Sequence, residues 1–247
     1  MIINSLKKIL FFNLVFFSLN AFSNEVTQNN PKTKTQVQSF TTDLQTVVKA
    51  ATKQKSFSVE FTQQTFSLLR NKVSESNGIL SIKKPASFRF EVTKPRNELY
   101  VSNGKEFWKY VADLKHAQYL KNLSQEFGFV QVLTNLSQLQ KYYHVSQWTD
   151  EEAKKLNQSA NISPVESDTP PEKNNDFILL KLVPKGDKQQ KVLYAIIQVK
   201  TGFIQELRIV QLNGNRIRLV FLNHSLKLLT DEVFQFTPPQ GIVVDKL

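Results

Sequence analysis

The chain contains no cysteine. That excludes disulfides, thiol catalysis, thiolate metal sites and attachment of a lipid through a cysteine, so the apolar core alone must hold the fold. Histidine is almost as scarce: His116, His144 and His224 stand far apart, and no HExxH or other close His/Asp/Glu set offers metal-ligand spacing. The seven glycines form neither a GxGxxG turn nor a Walker loop, and there is no GxSxG elbow. Nothing in the motifs points to an enzyme, a metal or a cofactor, although constellations assembled only in space stay open. Apolar runs of the roughly 20 residues that cross a bilayer are missing too. Acidic residues are outnumbered, 21 against 32 basic ones.

What is present begins with a segment separate from the rest. Lys7 and Lys8 precede an apolar run at 9–17, interrupted by Asn13, and Ala21-Phe22-Ser23 supplies the small residues that a signal peptidase reads. Residues 1–23 are therefore read as a signal peptide cleaved before Asn24, and the mature chain as soluble and exported to a bacterial periplasm. The formal net charge of +11 drops by the two signal lysines and suggests an anionic partner surface, whether anionic lipid head groups, an acidic protein or nucleic acid, with the exported address ranking nucleic acid last. The lysines are scattered, which equally fits a solubilising surface.

Residues 24–36 (NEVTQNNPKTKTQ) are polar and read as a disordered leader, with a single domain over 37–247. Phe40, Leu44, Val47, Val48 and Ala51 recur at spacings of three and four, which predicts a helix over about 38–52. From Ser56 the period becomes two, with Phe57, Val59 and Phe61 on one face. Alternating stretches follow at about 76–84, 87–93, 98–102, 105–111 and 115–120, with turns expected at Asn77-Gly78, Lys94-Pro95 and Asn103-Gly104. Over 124–140 the helical spacing returns and predicts one or two short helices. Residues 150–175 read as an extended exposed loop. Strands resume at about 176–183, 190–199, 203–212, 215–226 and 232–236, with hairpin turns at Thr201-Gly202 and Asn213-Gly214. About eleven strands with few helices must curl or close to hide one apolar face.

Fourteen of the 19 phenylalanines lie beyond the signal, many on strand faces. Phe88 and Phe90, within LSIKKPASFRFEV at 80–92, share one face. Pattern alone fits a packed core and a cavity wall equally well.

Three stretches resemble the LolA family, the periplasmic carriers of outer-membrane lipoproteins. They are SFSVEFTQQ at 56–64, GILSIKKPASFRFEVTKPRNELYVSNGKEFWKY at 78–110 and FTPPQGIVVD at 236–245. The second is similar to the family's G-x-L-x-[IV]-x-[RK]-P-x-x-F-x-[WF] followed by [SD]-[DN]-G-x-x-[LF]-W-x-Y. The resemblance implies a mainly β fold, an incomplete, unclosed antiparallel β-barrel with short α-helices as a lid over a hydrophobic cavity. It implies acyl-chain and lipoprotein binding by Phe57, Phe61, Leu80, Ile82, Phe88, Phe90, Tyr100, Trp108, Phe127, Phe129, Val130 and Leu133. It also implies that Lys84 stands where the family has an arginine latching the lid, with the carbonyls of the helix around 127–133 as its expected partners. Lysine keeps the charge and loses the planar five-donor fork. A charge at Phe88 or Phe90 is expected to abolish uptake while sparing the fold, as a cavity wall tolerates polarity better than a packed core does.

The implied partners are acylated lipoproteins, an inner-membrane lipoprotein-releasing ABC transporter and an outer-membrane lipoprotein receptor, with the carrier a monomer and neither cofactor nor catalysis involved. The alternatives are a periplasmic hydrolase and another lipid-binding protein of the same fold. An anchored receptor of similar fold would need an N-terminal lipidated cysteine, which this sequence lacks.

Overall fold

The computed structural model describes residues 31–120, 128–149, 151–152, 176–186 and 191–246. The signal segment, residues 24–30 of the leader, Phe127 and nearly all of the loop expected at 150–175 lie outside the described residues.

Helix α1 spans Pro31–Lys53, so it starts inside the stretch expected to be a disordered leader. Lysines, glutamines and threonines extend a helix cheaply once its apolar stripe is docked, and a proline is tolerated at the first helical position. The strands are β1 (Ser56–Ser67), β2 (Lys72–Lys83), β3 (Ser87–Lys94), β4 (Glu98–Asn103), β5 (Phe107–Val111), β6 (His116–Leu120), β7 (Tyr143–Gln147), β8 (Phe177–Pro184), β9 (Lys191–Gln198), β10 (Ile204–Gln211), β11 (Arg216–Ser225) and β12 (Val243–Lys246). Between β6 and β7 come α2 (Gly128–Thr134), a 3-10 turn (Leu136–Gln138) and α3 (Leu139–Tyr142).

Among the described residues, twelve strands form one sheet in the order β12-β6-β5-β4-β3-β2-β1-β11-β10-β9-β8-β7. Its edge strands, β12 and β7, are not hydrogen-bonded to each other, so the barrel is incomplete, as expected. Pairing is antiparallel except for β12, which lies parallel to β6.

Two expectations about turns and strands change. Asn77-Gly78 is not a turn: it lies inside β2, at a register shift against β3. A Cβ on Gly78 would sit 1.9 Å from the Glu91 carbonyl oxygen and 2.7 Å from the Phe61 ring, so glycine is there for close approach. The real β1–β2 turn is at 68–71, closed by Asn71 with φ of 45°. The strand expected at 232–236 is instead a 3-10 turn (Asp231–Phe234), and it buries Phe234.

The sheet's inner face carries Phe57, Val59, Phe61, Leu80, Ile82, Phe88, Phe90, Leu180, Leu193, Leu207, Leu219 and Phe221, all buried in one continuous core with Leu44, Val47 and Ala51 of α1 and Phe129, Val130, Val132 and Leu133 of α2. On the opposite face Trp148, Leu179, Tyr194 and Ile196 form a smaller cluster. There, too, Glu206 and Arg218 are buried side by side on β10 and β11, 3.0 Å apart, with Arg208 paired to the same carboxylate.

Candidate functional site: the apolar interior and its lid

Period-two alternation points Phe57 and Phe61 of β1, Leu80 and Ile82 of β2 and Phe88 and Phe90 of β3 to the helix-covered side. The aromatic rings interlock. Phe61 stacks on Phe90 at 4.2 Å, Phe90 meets Phe129 at 6.1 Å and Tyr100 at 6.2 Å, and Phe57 meets Phe203 at 5.5 Å. Of the residues expected at the site, Phe57, Phe61, Leu80, Ile82, Phe88, Phe90, Phe129, Val130 and Leu133 join this core, with Tyr100 half-buried against it.

Trp108 does not. It alternates with Phe107, which takes the inner position, and its indole packs on the outer face against Tyr119 at 5.0 Å and Phe236 at 5.7 Å. The F-W-x-Y motif places Trp108 and Tyr110 together under Phe236, so this part of the signature packs against the C-terminal segment. Phe107, Leu139, Phe203 and Phe221 are inner residues that were not singled out, although all four sit on apolar-periodic positions and Phe107 is the F of the F-W-x-Y stretch itself.

Phe88 is 0% and Phe90 4% exposed. They are core side chains in the closed protein, so a charge at either position is expected to cost stability as well as binding, contrary to the expectation that the fold would be spared. They are also walls. Phe88 lines a cleft of about 380 Å³ between the β3–β4–β5 end and α2–α3, with Phe107, Val130 and Leu139. Phe90 lines a second cleft of about 420 Å³ with Phe129, Tyr100, Ile209 and Ile217. The interior is thus neither a solid core nor one open cavity: it is packed at its centre and cleft on two sides.

At the seam between lid and sheet the space almost vanishes. Ala51, Gln54, Lys84, Leu133, Phe203 and His224 surround a void of about 10 Å³, room for a single water at most. Lys84 Nζ donates to the Ala51 carbonyl at 2.5 Å. The partner of Lys84 is therefore the last turn of α1, not the helix around 127–133. The reason is the helix end itself: final-turn carbonyls lack intrahelical partners and carry the negative pole of the helix dipole, which a cation satisfies. Lys84 is half-buried, and desolvation draws its pKa below the ordinary 10.5. Gln54 Nε2 reaches the Thr201 carbonyl from the same helix end. Gly202, at φ +71°, lets Ala51 approach so closely that an added Cβ would lie 2.5 Å from the Ala51 nitrogen. His224 stacks on Phe203 at 4.2 Å, and burial holds its pKa below the usual 6.5, so it stays neutral in the seam.

No catalytic constellation stands among these side chains, and among the described residues no group of three or more His, Cys, Asp or Glu could hold a metal ion. No helix among them is long and apolar enough to cross a membrane.

The family model described as "Outer membrane lipoprotein carrier protein LolA" matches residues 52–169. An outer-membrane lipoprotein carrier protein of Photobacterium profundum is 25% identical over 191 residues, 76% of this chain and 82% of its own. One from Yersinia pestis bv. Antiqua is 26% identical over 206 residues, 83% and 87% of the two chains. Among solved structures, a LolA superfamily protein from Nitrosomonas europaea aligns with a TM-score of 0.41 at 12% identity, covering 78% of this chain and 97% of that one. The chain is therefore similar to the LolA family model over residues 52–169, and over most of its length to proteins named outer-membrane lipoprotein carrier protein.

Proposed function

We propose that this protein is a non-enzymatic periplasmic carrier that shields the acyl chains of lipoproteins released from the inner membrane and delivers them to an outer-membrane receptor. The observation that carries this reading is the helix-covered apolar face with clefts beside Phe88 and Phe90. Each CH₂ removed from water contributes roughly 0.8 kcal/mol, so one chain of about sixteen carbons carries on the order of 13 kcal/mol. A carrier holding that much must also let go. The packed rings at the centre and the Lys84–Ala51 latch supply the opposing term, since both interactions are lost when a chain enters and regained when it leaves. Delivery from an ABC transporter to a receptor lipoprotein by a monomer follows from the carrier reading and is part of the proposal.

The test uses protein exported by its native host. Native mass spectrometry is expected to show a fraction of the mature protein carrying acylated polypeptide, and the purified complex is expected to pass that cargo to outer-membrane vesicles holding the receptor. Protein that carries no acylated material, and takes up none from lipoprotein-loaded inner-membrane vesicles, would remove the proposal.

A further inference from the structure

Two turns at one end of the sheet touch. The β1–β2 turn at 68–71 and the β10–β11 turn at 212–215 are joined by a hydrogen bond from the Leu68 amide to Asn215 Oδ1 at 3.0 Å, and a Cβ added to Gly214 would lie 2.4 Å from the Leu68 side chain. Each turn is also closed on itself: the Asn71 amide donates to the Leu68 carbonyl at 3.2 Å, and the Gly214 amide to the Gln211 carbonyl at 3.0 Å. Turns ordinarily carry small or polar residues. These two carry three leucines, of which Leu68 is 54%, Leu212 80% and Leu69 95% exposed. A lone exposed leucine needs no explanation, but three on two joined turns make an apolar tip. With almost all of Leu69 in solvent, the tip protrudes and forms no groove of its own.

The charges beside the leucines have one sign. Arg70 and Lys72 are exposed, and Arg216 lies half-buried over the Phe66 ring at 5.8 Å. No aspartate or glutamate occurs at 61–74 or at 207–230. Glu75, the first acid along β2 from the turn, accepts a hydrogen bond from Gln64 Nε2 at 3.2 Å. The start of β9 pairs with the end of β10 at this end of the sheet, and the sequence that leads into it, KGDKQQ at 185–190, has two lysines against one aspartate. That connection therefore adds no net negative charge.

We propose that this tip docks on an anionic lipid surface, with Leu68, Leu69 and Leu212 entering the interfacial layer and Arg70 and Lys72 meeting the head-group phosphates. Leucines beside cations, with no acid among them, are the composition of interfacial anchors. Each basic residue held near an anionic leaflet strengthens binding by about fivefold. This one-signed charge around protruding leucines is what favours a lipid surface over the groove of a partner protein. Position suits the role as well. The tip lies at the Lys72 end of the 12-residue β2, and Lys84 follows the other end, so docking leaves the α1 seam clear of the membrane. The inference goes beyond lipoprotein carriage and does not need it, since the tip binds a surface and takes nothing up.

The experiment is co-sedimentation of the mature protein with lipoprotein-free vesicles of phosphatidylcholine, with and without phosphatidylglycerol. The wild type is expected to bind the phosphatidylglycerol vesicles at least about tenfold more tightly than phosphatidylcholine alone. L69Q/L212Q is expected to lose at least about tenfold of that binding, and R70Q/K72Q to lose the preference for phosphatidylglycerol. Both should melt at the wild-type temperature, because the altered side chains are exposed. Leu69→Trp should move its fluorescence to shorter wavelength on the anionic vesicles, as insertion requires. Unaltered binding by L69Q/L212Q would show adsorption through the scattered lysines and overturns the proposal. So does a wild type that binds neither vesicle; loss of cargo transfer by L69Q/L212Q would then assign the tip to a protein partner. The vesicles hold no lipoprotein, so failure of docking and failure of the carrier reading are seen separately.

Discussion

At the scale of single residues, the proposed role of Lys84 in closure rests on one observed contact, its side-chain bond to the end of α1. That hydrogen bond to Ala51, beside the backbone N–H bond of Lys84 to the Lys55 carbonyl at 2.9 Å, joins the residue just after β2 to the end of α1. Charge-assisted hydrogen bonds contribute about 1.5 to 3 kcal/mol, so Lys84→Leu is expected to shift the lid equilibrium toward open by on the order of tenfold and to slow cargo transfer to a receptor. Lys84→Arg should transfer at or near the wild-type rate. Transfer by Lys84→Leu at that rate would show that the bond does not govern closure. The same lysine leaves a mark on stability. Because burial lowers its folded pKa, the native state gives up its proton first as pH rises, the unfolded state then binds more protons, and stability increases up to about the ordinary 10.5. The difference in denaturant midpoint between the wild type and Lys84→Leu, measured from pH 8 to 11, should shift in favour of the wild type as pH rises, the opposing slope of the buried Tyr143 and Tyr194 cancelling in the comparison. Glu206 gives the acid-side counterpart. Burial alone would raise its pKa, but its hydrogen bonds to Arg218 and the charges of Arg208 and Arg218 outweigh that and hold it below the usual carboxylate range. Its contribution is therefore present above the unfolded carboxylate value and is lost as pH falls through the lower, folded one. Glu206→Gln removes the buried carboxylate that both guanidinium groups share and is expected to cost about 3 to 5 kcal/mol at pH 7, with the deficit shrinking toward pH 3. A constant difference between the two urea curves across that range would refute the assignment.

At the scale of elements, the sequence was legible where one physical signal acted alone. Period-two alternation located β1, β3, β4 and β8 to β11 within a few residues, because each has one face in the core and one outside it. Asn77-Gly78 misled because a turn dipeptide and a glycine needed for strand contact look the same in one dimension; only the facing Glu91 carbonyl and Phe61 ring tell them apart. β12 was missed because VVDK is four exposed residues whose pairing with β6 is decided by the far end of the chain. Trp108 was misplaced for a related reason, since alternation gives two faces and does not say which one the helices cover. The latch partner was illegible for the same cause: nothing in the local pattern around Lys84 names Ala51, 33 residues away. Gly202 did read correctly as a turn, yet its second role, receiving the end of α1, belongs to tertiary structure. Gly202→Ala is expected to strain a left-handed φ by about 1 kcal/mol and to push α1 off its seat. Hydrogen exchange should then show protection over residues 44–51 reduced by tenfold or more, with β8 to β10 unchanged. Equal protection in α1 would mean that the glycine is only a turn residue.

At the scale of the whole molecule, an unclosed sheet with a helical cover is a container whose opening need not break any strand pairing. Its edge strands are already unpaired with each other, so movement of α1 exposes the inner face while every ladder from β12 to β7 stays intact. What α1 loses on leaving is the burial of Leu44, Val47 and Ala51, the Lys84 bond and the Gln54 contact to Thr201. Fully burying an aliphatic side chain is worth about 1.5 to 3 kcal/mol. That cost is the same order as the burial of part of one acyl chain, so under the proposed carrier function helix and cargo would compete for the same face. The absence of any native cysteine makes the idea directly testable. With Gln54→Cys and Thr201→Cys introduced together and joined by a short bis-maleimide, α1 is tethered to the β9–β10 turn. The bridged protein is expected to lose at least about tenfold in the rate of lipoprotein uptake while its far-ultraviolet dichroism matches that of the unbridged double variant, which should take up cargo normally. Each single-cysteine variant treated with the same reagent controls for bulk at the seam. Uptake by the bridged form at the unbridged rate would show that cargo enters without displacement of α1, and would leave the two clefts beside Phe88 and Phe90 as the routes by which acyl chains reach the interior.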